Sequence, residues 1–93
     1  MQKAKRTAII LISYPKDSKA FLEIVSLISK FEALLLGSVN VFNQSKKNLI
    51  FGVLVEASTD QLGAITGSLG KISGVKVKSA VLPEDENKSK NRI

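Results

Sequence analysis

Residues 7–14 are almost continuously apolar and rich in isoleucine, and the run stops at Pro15, which predicts a strand buried on both faces. Phe21, Ile24, Val25 and Ile28 then recur at the i, i+3, i+4, i+7 spacing of a helix with one buried side. Asp17 or Ser18 is placed to cap that helix, which runs to about Phe31. Residues 34–43 and 49–57 are β-branched and aromatic runs on either side of the polar cluster 44–48, a hairpin signal. Ser58, Thr59, Asp60 and Gln61 offer an N-cap with a capping-box glutamine. Leu62, Ile65, Leu69 and Ile72 follow at helical spacing, with Gly74 as the stop. Residues 75–81 alternate as a half-exposed strand, and residues 84–93 are charged and polar around one apolar residue, the composition of a disordered tail.

This order predicts an α+β, ferredoxin-like βαββαβ domain, an antiparallel four-stranded sheet in the order 4-1-3-2 with two helices on one face. The domain is placed at residues 7–82, between a basic N-terminal extension at 1–6 and a polar tail at 83–93. Lys76 and Lys78 fall on one side of the last strand, where edge lysines discourage uncontrolled pairing. Two helices cover only one face of such a sheet, yet Ile10, Ile12, Ile50 and Leu54 with their alternate neighbours leave both faces of the central strands apolar. Something has to cover the second face, which predicts self-association as a homodimer or tetramer, with those four residues as the candidate contact face. The alternative is a strand phase off by one, with an open face that is only semi-polar.

Composition narrows the chemistry. A chain of 93 residues with 44% hydrophobic and 24% charged residues fits one globular domain with one modest core. The sequence contains no cysteine and no histidine, which removes disulfides, thiolate and imidazole chemistry and the usual zinc and iron–sulfur ligands. Asp17, Glu23, Glu32, Glu56 and Asp60 are scattered without paired spacing, and the serines have no candidate general base. No catalytic residue, metal site or cofactor is therefore expected, and the chain is read as no enzyme. Its apolar runs fall well short of the ~20 residues that span a bilayer, so a soluble, cytoplasmic protein without membrane attachment is expected.

The net charge is +6, but residues 7–82 carry eight lysines against five acids, so much of the excess lies near the termini. Lys46 and Lys47 in the hairpin, with Lys76 and Lys78, form a basic rim that suits phosphate or nucleic acid, and otherwise simply solvated charge. Phe42 and Phe51 are the thin aromatic complement to that rim, so a nucleic-acid-binding sheet is the alternative reading and the lesser one.

Gly63, Gly67 and Gly70 gather on the side of the second helix nearly opposite Leu62, Ile65, Leu69 and Ile72, with Thr66 beside them. Each glycine costs roughly 1 kcal/mol relative to alanine in a helix. The stripe therefore implies packing against the first helix, a tolerated weakness, or close approach of a partner or small ligand. Gly67-Ser68-Leu69-Gly70 is no phosphate loop, because no strand feeds a complete nucleotide-binding pattern there.

The run from 62 to 78, Leu-Gly-Ala-Ile-Thr-Gly-Ser-Leu-Gly-Lys-Ile-Ser-Gly-Val-Lys-Val-Lys, resembles the family named "putative iron-only hydrogenase system regulator". The resemblance implies a small stand-alone ACT-like domain, related to ACT modules and to the C-terminal domain of nickel-responsive repressors. Such domains oligomerise and bind small effectors at their interfaces. The nickel ligands of those repressors have no counterparts here. In place of the Asp-x-x-Gly turn of amino-acid-binding ACT domains stands Tyr14-Pro15-Lys16-Asp17-Ser18-Lys19, without glycine. Tyr14, Lys16, Asp17, Gly63, Thr66, Gly67 and Gly70 are the ligand or interface candidates. The reading is a non-catalytic regulatory or small-ligand-sensing oligomer, linked to iron-only hydrogenase expression or maturation. Its partners are further copies of itself and a small-molecule effector or partner protein.

Overall fold

The computed structural model describes residues 4–16 and 19–83. The elements run β1 (Arg6–Pro15), α1 (Ala20–Ser29), a single 3-10 turn (Glu32–Leu34), β2 (Leu35–Asn43), β3 (Asn48–Ala57), α2 (Thr59–Gly70) and β4 (Lys76–Val81). They form one four-stranded sheet in the order β2-β3-β1-β4, with every neighbouring pair antiparallel. This is the predicted 4-1-3-2 order read from the other edge. The polar tail at 84–93 and the caps at Asp17 and Ser18 lie outside the described residues.

The core lies between the sheet and the helices. Ala8, Ile10, Ile12 and Tyr14 of β1 and Val53, Val55 and Ala57 of β3 pack against Ala20, Ile24 and Ile28 of α1 and Ile65 and Leu69 of α2. Ile10 and Ile12 are 0% exposed, whereas Ile9 and Leu11 between them are 38% and 47% exposed. Side chains on a strand alternate between faces, so β1 is buried on one face of this chain and open on the other. The expectation of a strand buried on both faces is corrected accordingly.

Helix α1 also turns a different side inward. Ile24 and Ile28 are buried as expected, but Phe21 and Val25 are 42% and 40% exposed, and Ala20, Leu27 and Phe31 complete the inner side. Ile24, Leu27, Ile28 and Phe31 follow the same spacing begun three residues later, with Ala20 one turn before them. With Phe21, Leu22 and Val25 also apolar, spacing alone does not choose between the two stripes. Lys19 stands at the N-cap and makes no side-chain cap hydrogen bond.

Helix α2 begins with the expected capping box. Ser58 Oγ accepts from Gln61 N at 3.2 Å while Ser58 N donates to Gln61 Oε1 at 2.9 Å, satisfying two amides that the helix cannot. The helix ends at Gly70 rather than near Gly74, and two turn hydrogen bonds, Lys71 N to Ser68 O and Ile72 N to Leu69 O, follow it. Ile72 is still buried, and Gly74 adopts φ +81 to redirect the chain into β4. Beyond β4, Leu82 N donates to Thr7 O at 2.9 Å.

Candidate functional site

The side of the sheet away from the helices is set by the odd-numbered residues of β1. Ile9 lies opposite Leu54 and Ala80, Leu11 opposite Gly52 and Lys78, and Ser13 opposite Ile50 and Lys76. From β2, Val39 and Val41 join them opposite Gly52 and Ile50. Val39 and Val41 are 56% and 50% exposed. The centre of this face is thus aliphatic. A Cβ added at Gly52 would meet Val39 Cγ1 at 3.4 Å and Ile9 Cδ1 at 3.7 Å, so these two side chains lean over the glycine and close the surface.

Charge marks the ends of the face. Lys76 and Lys78 stand on β4 towards the hairpin end, while Glu56, opposite Thr7, stands at the other. At the Glu56 end, Thr7, Ile9, Leu54, Ala80 and Leu82 line an apolar hollow of about 300 Å³. Of the predicted contact residues, Ile50 and Leu54 lie on this face, but Ile10 and Ile12 lie in the core behind it. Their places are taken by Ile9, Leu11, Val39 and Val41. The signal that finds this phase is Thr7 and Ser13, the hydroxyl residues at either end of the apolar run 8–12, which share the odd-numbered side.

At the hairpin end is a second hollow of about 200 Å³, lined by Ser13, Lys46, Lys47, Asn48, Gly74 and Lys76 among others. Three elements meet there because β1 ends, the β2–β3 hairpin turns and β4 begins at the same edge. Asn48 Nδ2 donates to Ser13 Oγ at 2.7 Å, while Asn48 Oδ1 is buried without a partner. In the turn, Asn43 Oδ1 accepts from Ser45 Oγ at 3.0 Å and from Lys46 N at 3.4 Å, and Lys47 adopts φ 54.

The remaining candidates are dispersed. Gly63, Gly67 and Gly70 all face solvent, and a Cβ at any of them would meet nothing within 4 Å, so they do not pack against α1. Thr66 Oγ1 donates back to Leu62 O at 3.1 Å and so serves its own helix. Tyr14 is 2% exposed, its ring 6.2 Å from that of Phe21, and burial raises its phenol above the usual 10.0. Lys16 Nζ lies 5.4 Å from the centroid of Phe42. Asp17 lies outside the described residues. The structure therefore does not gather Tyr14, Lys16 and the glycine stripe into one site.

Among the described residues, no three histidine, cysteine or acidic side chains converge as a metal site, and no helix is long and apolar enough to cross a membrane.

The model of a TM1266-like family, described as "Iron-only hydrogenase system regulator, putative", matches residues 6–79. Among solved structures, the uncharacterized protein TM1266 from Thermotoga maritima is 30% identical, with a TM-score of 0.79 over 85% of this chain and 99% of that one. The ACT domain from the GTP pyrophosphokinase of Chlorobium tepidum has a TM-score of 0.69 at 23% identity, over 83% of this chain and 100% of that one. The latter is a likeness of fold. No curated protein matches the chain.

Proposed function

Because the chain belongs to the TM1266-like family of iron-only hydrogenase system regulators, we propose that it is a non-catalytic regulatory domain that acts as a homo-oligomer and responds to a small ligand. The observation that carries this reading is the open aliphatic face of Ile9, Leu11, Val39, Val41 and Leu54, each more than a third exposed in the single chain. A contiguous apolar sheet face left in water is unfavourable and marks an interaction surface. A second copy is the occupant that the charges suit. A two-fold axis running across the strands brings the Lys76 and Lys78 end of each copy towards the Glu56 end of its partner, while the aliphatic centres meet.

The inventory of side chains supports a role without catalysis. With neither cysteine nor histidine, and with acids that do not converge among the described residues, what the chain offers is a surface and a pocket. The nucleic-acid reading draws less support. RNA-binding sheets of this type stack bases on aromatics of the open face, but here Phe51 packs against the core and Phe42 alternates to the same side as the helices.

Assembly is tested by sedimentation of the purified chain over a dilution series. A species that is a multiple of 10.0 kDa is expected, and a monomer at every concentration contradicts the reading. The regulatory role is tested by deleting the gene in its host and measuring iron-only hydrogenase activity and transcript. A change in either is expected, and no change in both contradicts it.

A further inference from the structure

We propose that the hollow at the hairpin end of the sheet binds a small phosphate-bearing anion. This inference rests on the ligand-sensing part of the reading above; Ser13 and Lys76 of the hollow stand at one end of the same open side of the sheet.

The first observation is the charge of the lining. Lys46 and Lys47 arrive from the hairpin and Lys76 from the start of β4, and among the described residues no carboxylate lines the hollow. Three lysines from two elements around one concavity concentrate positive charge where an anion can meet it. In register Lys76 sits directly opposite Ser13, so the sheet itself fixes the separation between strand and hairpin contributions.

The second observation is a held hydroxyl. Asn48 Nδ2 donates to Ser13 Oγ at 2.7 Å, which fixes the Ser13 oxygen in the lining and leaves its O–H proton to donate elsewhere. A phosphate group answers these groups together, its charged oxygens accepting from the lysines and from the Ser13 hydroxyl.

Two further features fit a small ligand. The hollow of about 200 Å³ has room for roughly six waters, which suits a phosphate group and a short substituent better than a polymer. Lys47 holds φ 54, a backbone region that asparagine or glycine enters more easily, so the lysine stands there at a conformational cost.

The test is a titration of the full chain followed through its backbone amide resonances. The probes are inorganic phosphate, sulfate and a uridine oligonucleotide at matched ionic strength, with light scattering on the same samples. Phosphate is expected to move the resonances of Ser13, Lys47, Asn48 and Gly74, and sulfate, of the same shape and charge, to move the same set. Lys47→Gly, which the backbone accepts without strain, and Lys76→Gln are each expected to weaken phosphate binding roughly tenfold. No response to phosphate, affinity unchanged in both variants, or oligonucleotide binding without a phosphate response overturns the proposal. Loss of assembly with the phosphate response intact counts against the homo-oligomer and leaves the pocket standing, so the two readings fail separately.

Discussion

The glycines of this chain do three different jobs, and substitution separates them. At Gly67 a methyl group would meet nothing within 4 Å, so Gly67→Ala adds helix propensity without a clash. Thermal or urea unfolding is expected to show a gain of about 0.5–1 kcal/mol. Gly74 is the opposite case. Its φ of +81 makes Gly74→Ala cost about 1–2 kcal/mol, even though the nearest atom to the new methyl, Pro15 Cδ, is 3.7 Å away in ordinary contact. Gly52 provides the close approach that Val39 and Ile9 fill. Tyr14 gives a prediction in pH. Its buried phenol titrates above the usual 10.0, so the folded state favours the neutral form more than the unfolded chain does. That contribution is whole below the ordinary value and is lost as pH rises through it towards the folded one. Denaturant titrations at rising alkaline pH are expected to show a steeper loss in the native protein than in Tyr14→Phe. The outward direction of the glycine stripe was legible from helical geometry. That none of the described residues packs on it was not, because this depends on where α1 lies.

At the level of elements, helices and strands differ in how far their sequences specify them. The second helix is announced at both ends. Its capping box forms as the Ser58 to Gln61 spacing requires, and Ser58→Ala is expected to cost about 1 kcal/mol in unfolding experiments. The first helix was legible in position but not in rotation. Because Ala20, Phe21, Leu22, Ile24, Val25, Leu27 and Ile28 are all apolar, two adjacent stripes satisfy the same period, and contact with the sheet decides between them. The choice is measurable. Ile24→Ala, at 0% exposure, is expected to lose 2–5 kcal/mol as core truncations do, whereas Val25→Ala, at 40% exposure, is expected to lose far less. β1 posed the corresponding problem with a period of two. Its isoleucine run conceals the alternation, and only Thr7 and Ser13 mark the solvent side. Ile10 and Ile12 were therefore grouped with a surface that belongs to Ile9 and Leu11.

For the molecule as a whole, the βαββαβ order and the right-handed crossover rule leave little freedom, so the sheet order follows from the pattern of elements. The pocket at the hairpin end was harder to foresee. Lys46, Lys47 and Lys76 are visible as charges in the sequence, but their meeting around Asn48 and Ser13 requires the register of β1 with both β3 and β4. The open face links fold to the proposed role, since its exposed aliphatic residues are what the homo-oligomer reading rests on. The decisive measurement is the molar mass in solution of the native chain beside Leu11→Asp, by light scattering, with circular dichroism to confirm that both are folded. Leu11 is 47% exposed on the outer face, so the charge is expected to leave the fold intact. The native chain is expected at a multiple of 10.0 kDa and Leu11→Asp at 10.0 kDa. A monomeric native chain, or a folded Leu11→Asp that assembles as the native chain does, would contradict assembly through this face.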